Sequence, residues 1–292
     1  MLPKEILKKV KKIQLKMTRL SDEAMAGHYA SVFKGMGMEF AEVREYVTGD
    51  DVRAIDWNVT ARSGSPYVKR YMEERELTLV LLVDLSASQR FGTVNSLKSE
   101  LAAEISALLA FLAIKNNDKV GLLIFSDHCE RFVPPQKGRR HVLRVVREIL
   151  AYHPRGTGTR LSEALTFINK ILPQRSVVFL VSDFLDTGFE KALKSTAGRH
   201  DLIGVRLSDP RESELPALGL IELEDGETGT RFLVDSSAPR VRELFAQRVQ
   251  FRRETIQRIF KKCRVDMIEI STGKSYLEPL QRFFIKRERR IR

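Results

Sequence analysis

The stretch that decides the fold of this chain is LTLVLLV at residues 77–83, which runs directly into DLSAS at residues 84–88. A leucine- and valine-rich run of this length is typical of a strand that is buried on both faces of a parallel sheet. The polar residues after it then emerge at the carboxyl end of the strand, where α/β sheets keep their ligand sites. The stretch therefore predicts an α/β fold with a site at this strand end.

The polar residues after the strand have the spacing of a metal-binding loop. Asp84, Ser86 and Ser88 offer three oxygen atoms at positions i, i+2 and i+4. Oxygen ligands on a tight loop suit a hard cation, and we expect Mg²⁺ or Mn²⁺. Taken alone, the same pattern is also common in loops that cap helices, since Asp and Ser favour caps and turns.

Two later segments could complete such a site. The apolar run 176–181 is a second predicted buried strand, and it ends in Ser182 and Asp183. The sequence GTGT at residues 156–159 precedes a helical apolar pattern, which favours Thr159 over Thr157 as a ligand. If the strand order reverses between the first and fourth strands, Asp84 and Asp183 are neighbours at the switch point. The predicted metal ligands are Asp84, Ser86, Ser88, Thr159 and Asp183.

These residues and an upstream stretch resemble two known groups of proteins. The Asp-x-Ser-x-Ser pattern, Thr159 with its downstream helix, and Asp183 resemble the metal-ion-dependent adhesion site of von Willebrand factor A domains. The segments GMEFAEVREY (37–46), GDDVRAIDWN (49–58) and TAR (60–62) resemble the bacterial "domain of unknown function 58" proteins. That resemblance implies a von Willebrand A-like fold and a partnership with a MoxR-type AAA+ ATPase.

The rest of the chain alternates predicted strands and helices, which requires a mostly parallel, doubly wound sheet covered on both faces. After 77–83 the predicted strands are 120–125, a short edge strand at 130–133, 176–181, 202–207 and 265–270. The predicted helices are 96–115, 139–150, one that begins near Thr159, 188–197 and 239–262.

We predict four parts in this chain. Two segments fit the doubly wound pattern poorly, and we expect them to pack together as a small β-rich accessory subdomain. The parts are a basic amphipathic helix at 1–24, the accessory subdomain at 25–76 plus 211–236, the von Willebrand A-like α/β domain at 77–210 plus 237–281, and a basic tail at 282–292.

The formal charge of +12 is concentrated at the two ends of the chain. Residues 1–20 carry +6 and residues 282–292 carry +5. A near-neutral body is a poor match to a nucleic-acid-binding domain, whose charge lies on one folded face. The apolar spacing of residues 6–20 predicts an amphipathic helix with a basic outer face. Packing on the body or a partner is our main interpretation, and anionic membrane surfaces and nucleic acid are the alternatives.

We expect a cytoplasmic protein. No apolar run approaches the roughly 18 residues that a membrane span needs, and the N-terminus has no signal-peptide pattern. The cysteines, Cys129 and Cys263, lack metal-type spacing, which fits a reduced compartment.

The charged motif at residues 49–57 has two interpretations. Its acids, together with Arg44, Arg53 and Arg62, could form an ion-pair network that holds the accessory subdomain to the main sheet, or they could form a docking surface. We favour the structural network. Trp57, the only tryptophan, is predicted to be a packing anchor.

We expect no enzymatic activity. The five histidines lack metal-type spacing, and the chain has no nucleophile elbow and no Walker A sequence. Our prediction is a metal-dependent adaptor or co-chaperone that binds a carboxylate of a partner protein. The alternatives are a metal-dependent phosphoesterase or nuclease, which would need carboxylates such as Asp127 and Asp186 at the site, and a nucleic-acid or membrane scaffold that uses the basic tails.

Overall fold

A computed structural model of the chain describes residues 4–20, 23–33, 37–74, 76–93 and 97–291. The helices are α1 (Lys4–Leu20), α2 (Glu23–Val32), α3 (Trp57–Ser63), α4 (Lys98–Lys115), α5 (Arg139–Ala151), α6 (Leu161–Ile171), α7 (Glu190–Arg199), α8 (Pro239–Cys263) and α9 (Leu277–Ile291). The strands are β1 (Gly37–Glu45), β2 (Tyr67–Glu74), β3 (Thr78–Asp84), β4 (Lys119–Phe125), β5 (Cys129–Gln136), β6 (Val177–Ser182), β7 (Asp201–Ser208), β8 (Leu220–Glu224), β9 (Arg231–Asp235) and β10 (Asp266–Ser271).

The central sheet has the order β10-β7-β6-β3-β4-β5. Its strands run parallel except for the edge strand β5, which pairs antiparallel with β4. The chain moves outward from β3 to β5, returns to β6 on the other side of β3, and then moves outward again. The predicted doubly wound, mostly parallel fold is therefore confirmed, and its order reverses between β3 and β6 as expected.

Helices cover both faces of this sheet and bury two apolar cores. The larger core lies against α1, α2, α4, α5 and α9, and the smaller core lies against α6, α7 and α8. The side chains of β3 alternate between the two cores, so that Leu79 and Leu81 enter the larger core and Val80 and Leu82 the smaller one. No helix in the described ranges is both long and apolar enough to cross a membrane.

The basic ends of the chain pack on the body. In α1, Ile13 and Met17 are buried, while Lys9 and Lys16 form ion pairs with acidic residues of α4. The segment 282–292, which we predicted to be a tail, is instead the second half of α9 up to Ile291. It is helical because Phe283 and Phe284 are buried against the larger core, which stabilises the helix.

The accessory region differs from the prediction at its start. Residues 25–32 form most of α2, whose Met25 and Tyr29 are buried in the larger core rather than in a β-rich unit. The two β segments form two-stranded antiparallel sheets, β1 with β2 and β8 with β9, and the packing of these segments against each other stays a prediction. The side chains of residues 37–41, which carry part of the family-like motif, lie outside the described residues.

The charged motif at 49–57 is tied together locally. Arg44 donates two hydrogen bonds to Asp50, at 2.8 and 2.9 Å, and the Asp56 carboxylate caps the start of α3. Trp57 is 70% exposed, so the prediction of a packing anchor is wrong. Asp56 accepts from the amides of Asn58 and Val59 and so caps α3, and none of the residues of this short helix, all of them described, is buried.

Gly204 of β7 allows α8 to approach the sheet closely. A β-carbon built on Gly204 would lie 2.3 Å from Cε1 of Phe260 in α8. We expect Gly204→Ala to lower the free energy of unfolding by about 1–3 kcal/mol, since the core would be overpacked. Urea denaturation measures this. Gly198→Ala in α7 is the control, because nothing lies within 4 Å of its β-carbon position. Equal stability of the two variants would contradict this packing.

Candidate functional site

Asp84 lies where the two central strands end side by side. It is the last residue of β3, and the parallel partner β6 ends in Ser182. The Ser182 hydroxyl donates to Oδ2 of Asp84 at 2.6 Å, and the Ser86 amide donates to Oδ1 at 2.9 Å. The Asp84 side chain is completely buried. The carboxylate is therefore held in one orientation at the carboxyl edge of the sheet.

The next loop residues connect Asp84 to Asp183 through hydroxyl groups. The hydroxyl oxygens of Ser86 and Ser88 are 3.1 Å apart, and the Ser88 hydroxyl donates to Oδ2 of Asp183 at 2.8 Å. Ser86 directly precedes a short 3-10 turn, Ala87–Arg90. The structure thus brings together four of the five predicted residues; their role as metal ligands stays a prediction.

Thr159 reaches the same edge from a third loop. The carbonyl of Thr157 accepts a hydrogen bond from the Ala87 amide at 2.9 Å, so the 156–160 loop lies against the 84–88 loop. The hydroxyl of Thr159 donates to Oε1 of Glu227 at 2.9 Å. Glu227 lies in the turn between β8 and β9, far away in sequence. The hydroxyl of the fifth predicted residue is therefore paired with a carboxylate that sequence reasoning missed, in a loop that contacts the 84–88 loop.

Lys98 is a second residue that sequence reasoning missed. Its side chain is fully buried at the start of α4, and Nζ donates to Asp183 at 2.7 Å and to Glu212 at 2.5 Å. Burial lowers the pKa of Lys98, but the two carboxylates outweigh burial and hold that pKa above its usual value. A lysine in the first turn of a helix is normally exposed to solvent. The sequence therefore gives no signal that Lys98 pairs with buried carboxylates.

The electrostatics of the cluster favour a cation. Burial raises the pKa of Asp84, and the nearby charge of Asp183 raises it further, although hydrogen bonds from Ser182 and Ser86 oppose the shift. Burial and Asp183 therefore disfavour the charged form of Asp84, and a cation beside the two carboxylates would offset that cost. The side-chain amide of Gln89, which is also buried beside this loop, has no hydrogen-bond partner among the residues that the structure describes.

The donor atoms fit a hard divalent cation. Within the described ranges no group of three His, Cys, Asp or Glu side chains is placed to hold a metal, so binding here would depend on hydroxyl oxygens as well as carboxylates. Two carboxylates and three hydroxyls from three loops match the oxygen preference of Mg²⁺ and Mn²⁺.

The carboxylates that a hydrolase would need have other partners. Oδ2 of Asp186 accepts from the Leu161 amide at 2.7 Å and so caps α6. Asp127 contacts His128 at 2.6 Å and Ser126 at 3.2 Å. These contacts hold both side chains with groups outside the Asp84 cluster and do not support the phosphoesterase alternative.

Comparison with known proteins gives a family match over most of the chain. The family described as "Protein of unknown function DUF58" matches residues 42–255. The uncharacterized protein Rv1480 of Mycobacterium tuberculosis is 32% identical over 282 residues, which is 95% of this chain and 88% of that protein. The uncharacterized protein YeaD of Bacillus subtilis is 29% identical over 113 residues, or 39% of this chain and 26% of that protein.

Solved structures show a weaker likeness. The conserved hypothetical protein BatB from Bacteroides thetaiotaomicron is 17% identical, with a TM-score of 0.49, over 73% of this chain and 99% of that one. The SpRpn10 VWA domain is 10% identical, with a TM-score of 0.39, over 70% of this chain and 93% of that one. Because both TM-scores are low, the assignment of the fold is based on the strand order of this chain and not on these structures.

Proposed function

This chain belongs to the DUF58 family, and on that premise we propose that it is a non-enzymatic, metal-dependent adaptor or co-chaperone. Asp84, Ser86, Ser88, Thr159 and Asp183 would hold one Mg²⁺ or Mn²⁺ ion at the carboxyl edge of the sheet. The observation that carries the proposal is the buried cluster in which Ser88 joins Asp183 to the loop of Asp84.

The charge of the cluster explains why such an ion would bind another protein. Hydroxyl ligands are neutral, and the charge of Asp183 is already shared with the Lys98 ammonium. A divalent ion held here would therefore keep part of its positive charge, and an acidic side chain of a partner could complete its oxygen coordination. The ion would supply an electrostatic bridge between two proteins.

The partner class is part of the same proposal. The resemblance that the sequence motifs carry suggests a MoxR-type AAA+ ATPase, acting in the cytoplasm on a client that this protein presents. The chain itself has no Walker A sequence with which to bind ATP in the way such ATPases do.

A pull-down from native lysate tests this function. The bait is the full chain, either wild type or with Asp84→Ala and Ser86→Ala together, and each bait is used with Mg²⁺ and with EDTA. We expect an AAA+ ATPase or a client to be retained only by the wild-type bait with Mg²⁺. Glu163→Ala is the control bait, because Glu163 is an exposed residue of α6 near the site.

Two results of this pull-down would contradict the proposal. One is equal capture in all four conditions, which would place the binding surface elsewhere. The other is a loss of capture with the Glu163→Ala bait as large as that with the double variant, which would indicate a general effect of changing surface charge. Circular dichroism of each bait checks that it is folded.

A further inference from the structure

The turn between β8 and β9 lies directly on the candidate site. A β-carbon built on Gly226 would be 3.7 Å from the backbone of Ala87 and Ser88, so the turn contacts the first ligand loop. Next to it, Glu227 accepts the hydrogen bond from Thr159 in the 156–160 loop. One turn of a hairpin that is distant in sequence therefore contacts both loops and places a carboxylate beside Thr159.

The backbone of this turn is shaped to present Glu227. Oδ1 of Asp225 accepts hydrogen bonds from the amides of Glu227 and Thr228, at 3.0 and 2.9 Å. These bonds lower the pKa of Asp225 and close a compact turn. Gly229 completes the turn with a φ of 68°, which favours glycine. The position of the carboxylate is thus set by the turn as well as by its one bond to Thr159.

The hairpin that carries the turn is weakly attached along its length. Most residues of β8 and β9 are exposed on both faces of the two-stranded sheet. At its base, Ser236 bonds to the backbone of Leu218 and Gly219. Isolated two-stranded hairpins are marginally stable, and an exposed hydrogen bond such as that of Thr159 contributes little. Separating the turn from the site should therefore cost little free energy, while the bonds of Ser236 keep the base of the hairpin in place.

We propose that Glu227 is the protein's own ligand for the ion at this site and occupies the position that a carboxylate of a partner would take. This inference rests on the proposed function. In the closed state the hairpin completes the site from within the chain. A partner binds only by displacing Glu227, so the hairpin sets a threshold for binding and favours partners with a high local density of carboxylates.

The metal alone is a sufficient probe for this inference. We expect Glu227→Gln to weaken the affinity for Mn²⁺ by about tenfold, because the affinity of oxygen sites depends on the number of charged ligands. Calorimetry or the electron paramagnetic resonance signal of free Mn²⁺ measures this affinity. Glu222→Gln is the matched control. Glu222 lies on the same hairpin, and its substitution removes the same charge at a position away from the turn.

A second readout follows the hairpin itself. Arg231 in β9 is exposed, and cleavage after it by trypsin can be followed by mass spectrometry. In the wild-type protein, Mg²⁺ should slow this cleavage several-fold, because the ion holds the turn closed. Mg²⁺ should have no such effect in Glu227→Gln. Glu222→Gln removes an ion-pair partner of Arg231, so its control value is the ratio of the cleavage rates with and without Mg²⁺, which should match that of the wild type.

The outcomes separate this inference from the proposed function. If the wild-type protein binds Mn²⁺ and Asp84→Asn does not, but Glu227→Gln binds as tightly as wild type, Glu227 is not a ligand and only the inference fails. If Glu222→Gln weakens binding as much as Glu227→Gln, the effect is a general one of charge and the inference also fails. If the wild-type protein binds no Mn²⁺, the proposed function is wrong, and the inference that rests on it is wrong as well.

Discussion

Lys98→Met should lower the free energy of unfolding by about 3–5 kcal/mol, the largest effect that we expect from any single substitution in this protein. The Lys98 ammonium is fully buried between the carboxylates of Asp183 and Glu212. Methionine fills a similar volume but leaves both carboxylates without their cation, and burying an unpaired charge is costly. Urea denaturation in EDTA measures the loss.

The control for this variant is Lys191→Met, because Lys191 is an exposed residue of α7. It should change stability by less than about 0.5 kcal/mol. A similarly small effect of Lys98→Met would show that the buried ion pairs do not stabilise the fold. Because a cation near Asp183 would restore part of the lost charge, Mg²⁺ should stabilise Lys98→Met more than it stabilises the wild-type protein.

Asp84→Asn should have opposite effects on the metal-free and metal-loaded protein. In EDTA we expect the variant to be more stable than wild type by about 1–2 kcal/mol, because it removes a buried charge that faces Asp183. Asparagine keeps an oxygen for the Ser86 amide. With Mg²⁺ at 100 times its dissociation constant, the wild-type protein should gain about 2.7 kcal/mol, whereas the variant should gain almost nothing. The order of the two stabilities then reverses.

Thermal denaturation with Mg²⁺ and with EDTA checks this reversal. Asp127→Asn is the matched control, because its carboxylate is half-exposed and contacts His128. It should leave the response to Mg²⁺ unchanged. A loss of that response in Asp127→Asn would point to a further carboxylate at the ion and so to the hydrolase alternative. Equal stabilisation of Asp84→Asn and wild type by Mg²⁺ would contradict the metal site.

The strands and the position of the site were readable from the sequence because both depend on local patterns. A buried strand must be apolar throughout, so 77–83 and 176–181 stood out and their bounds shift by only one residue in β3 and β6. Parallel strands place their carboxyl ends at one edge, and the order of the strands then made Asp84 and Asp183 neighbours.

Helices α2 and α9 show where local patterns fail. The charges of 282–292 suggested a tail, but the buried Phe283 and Phe284 make this segment part of α9. Similarly, α2 has little amphipathic pattern, and it is held by the burial of Met25 and Tyr29 between other helices. In both cases tertiary packing decided the structure, and packing partners are not written in the periodicity of a segment.

By itself, the sequence determined the doubly wound sheet, the edge that carries the site, and the four residues Asp84, Ser86, Ser88 and Asp183 that meet there. Only the tertiary structure decided that Lys98 neutralises Asp183 from inside the core and that Glu227 meets Thr159. The physical reason is that apolar periodicity records burial along a single element. A polar contact between residues 68 or 85 positions apart depends instead on how separate elements pack, and it leaves no periodic trace in the chain.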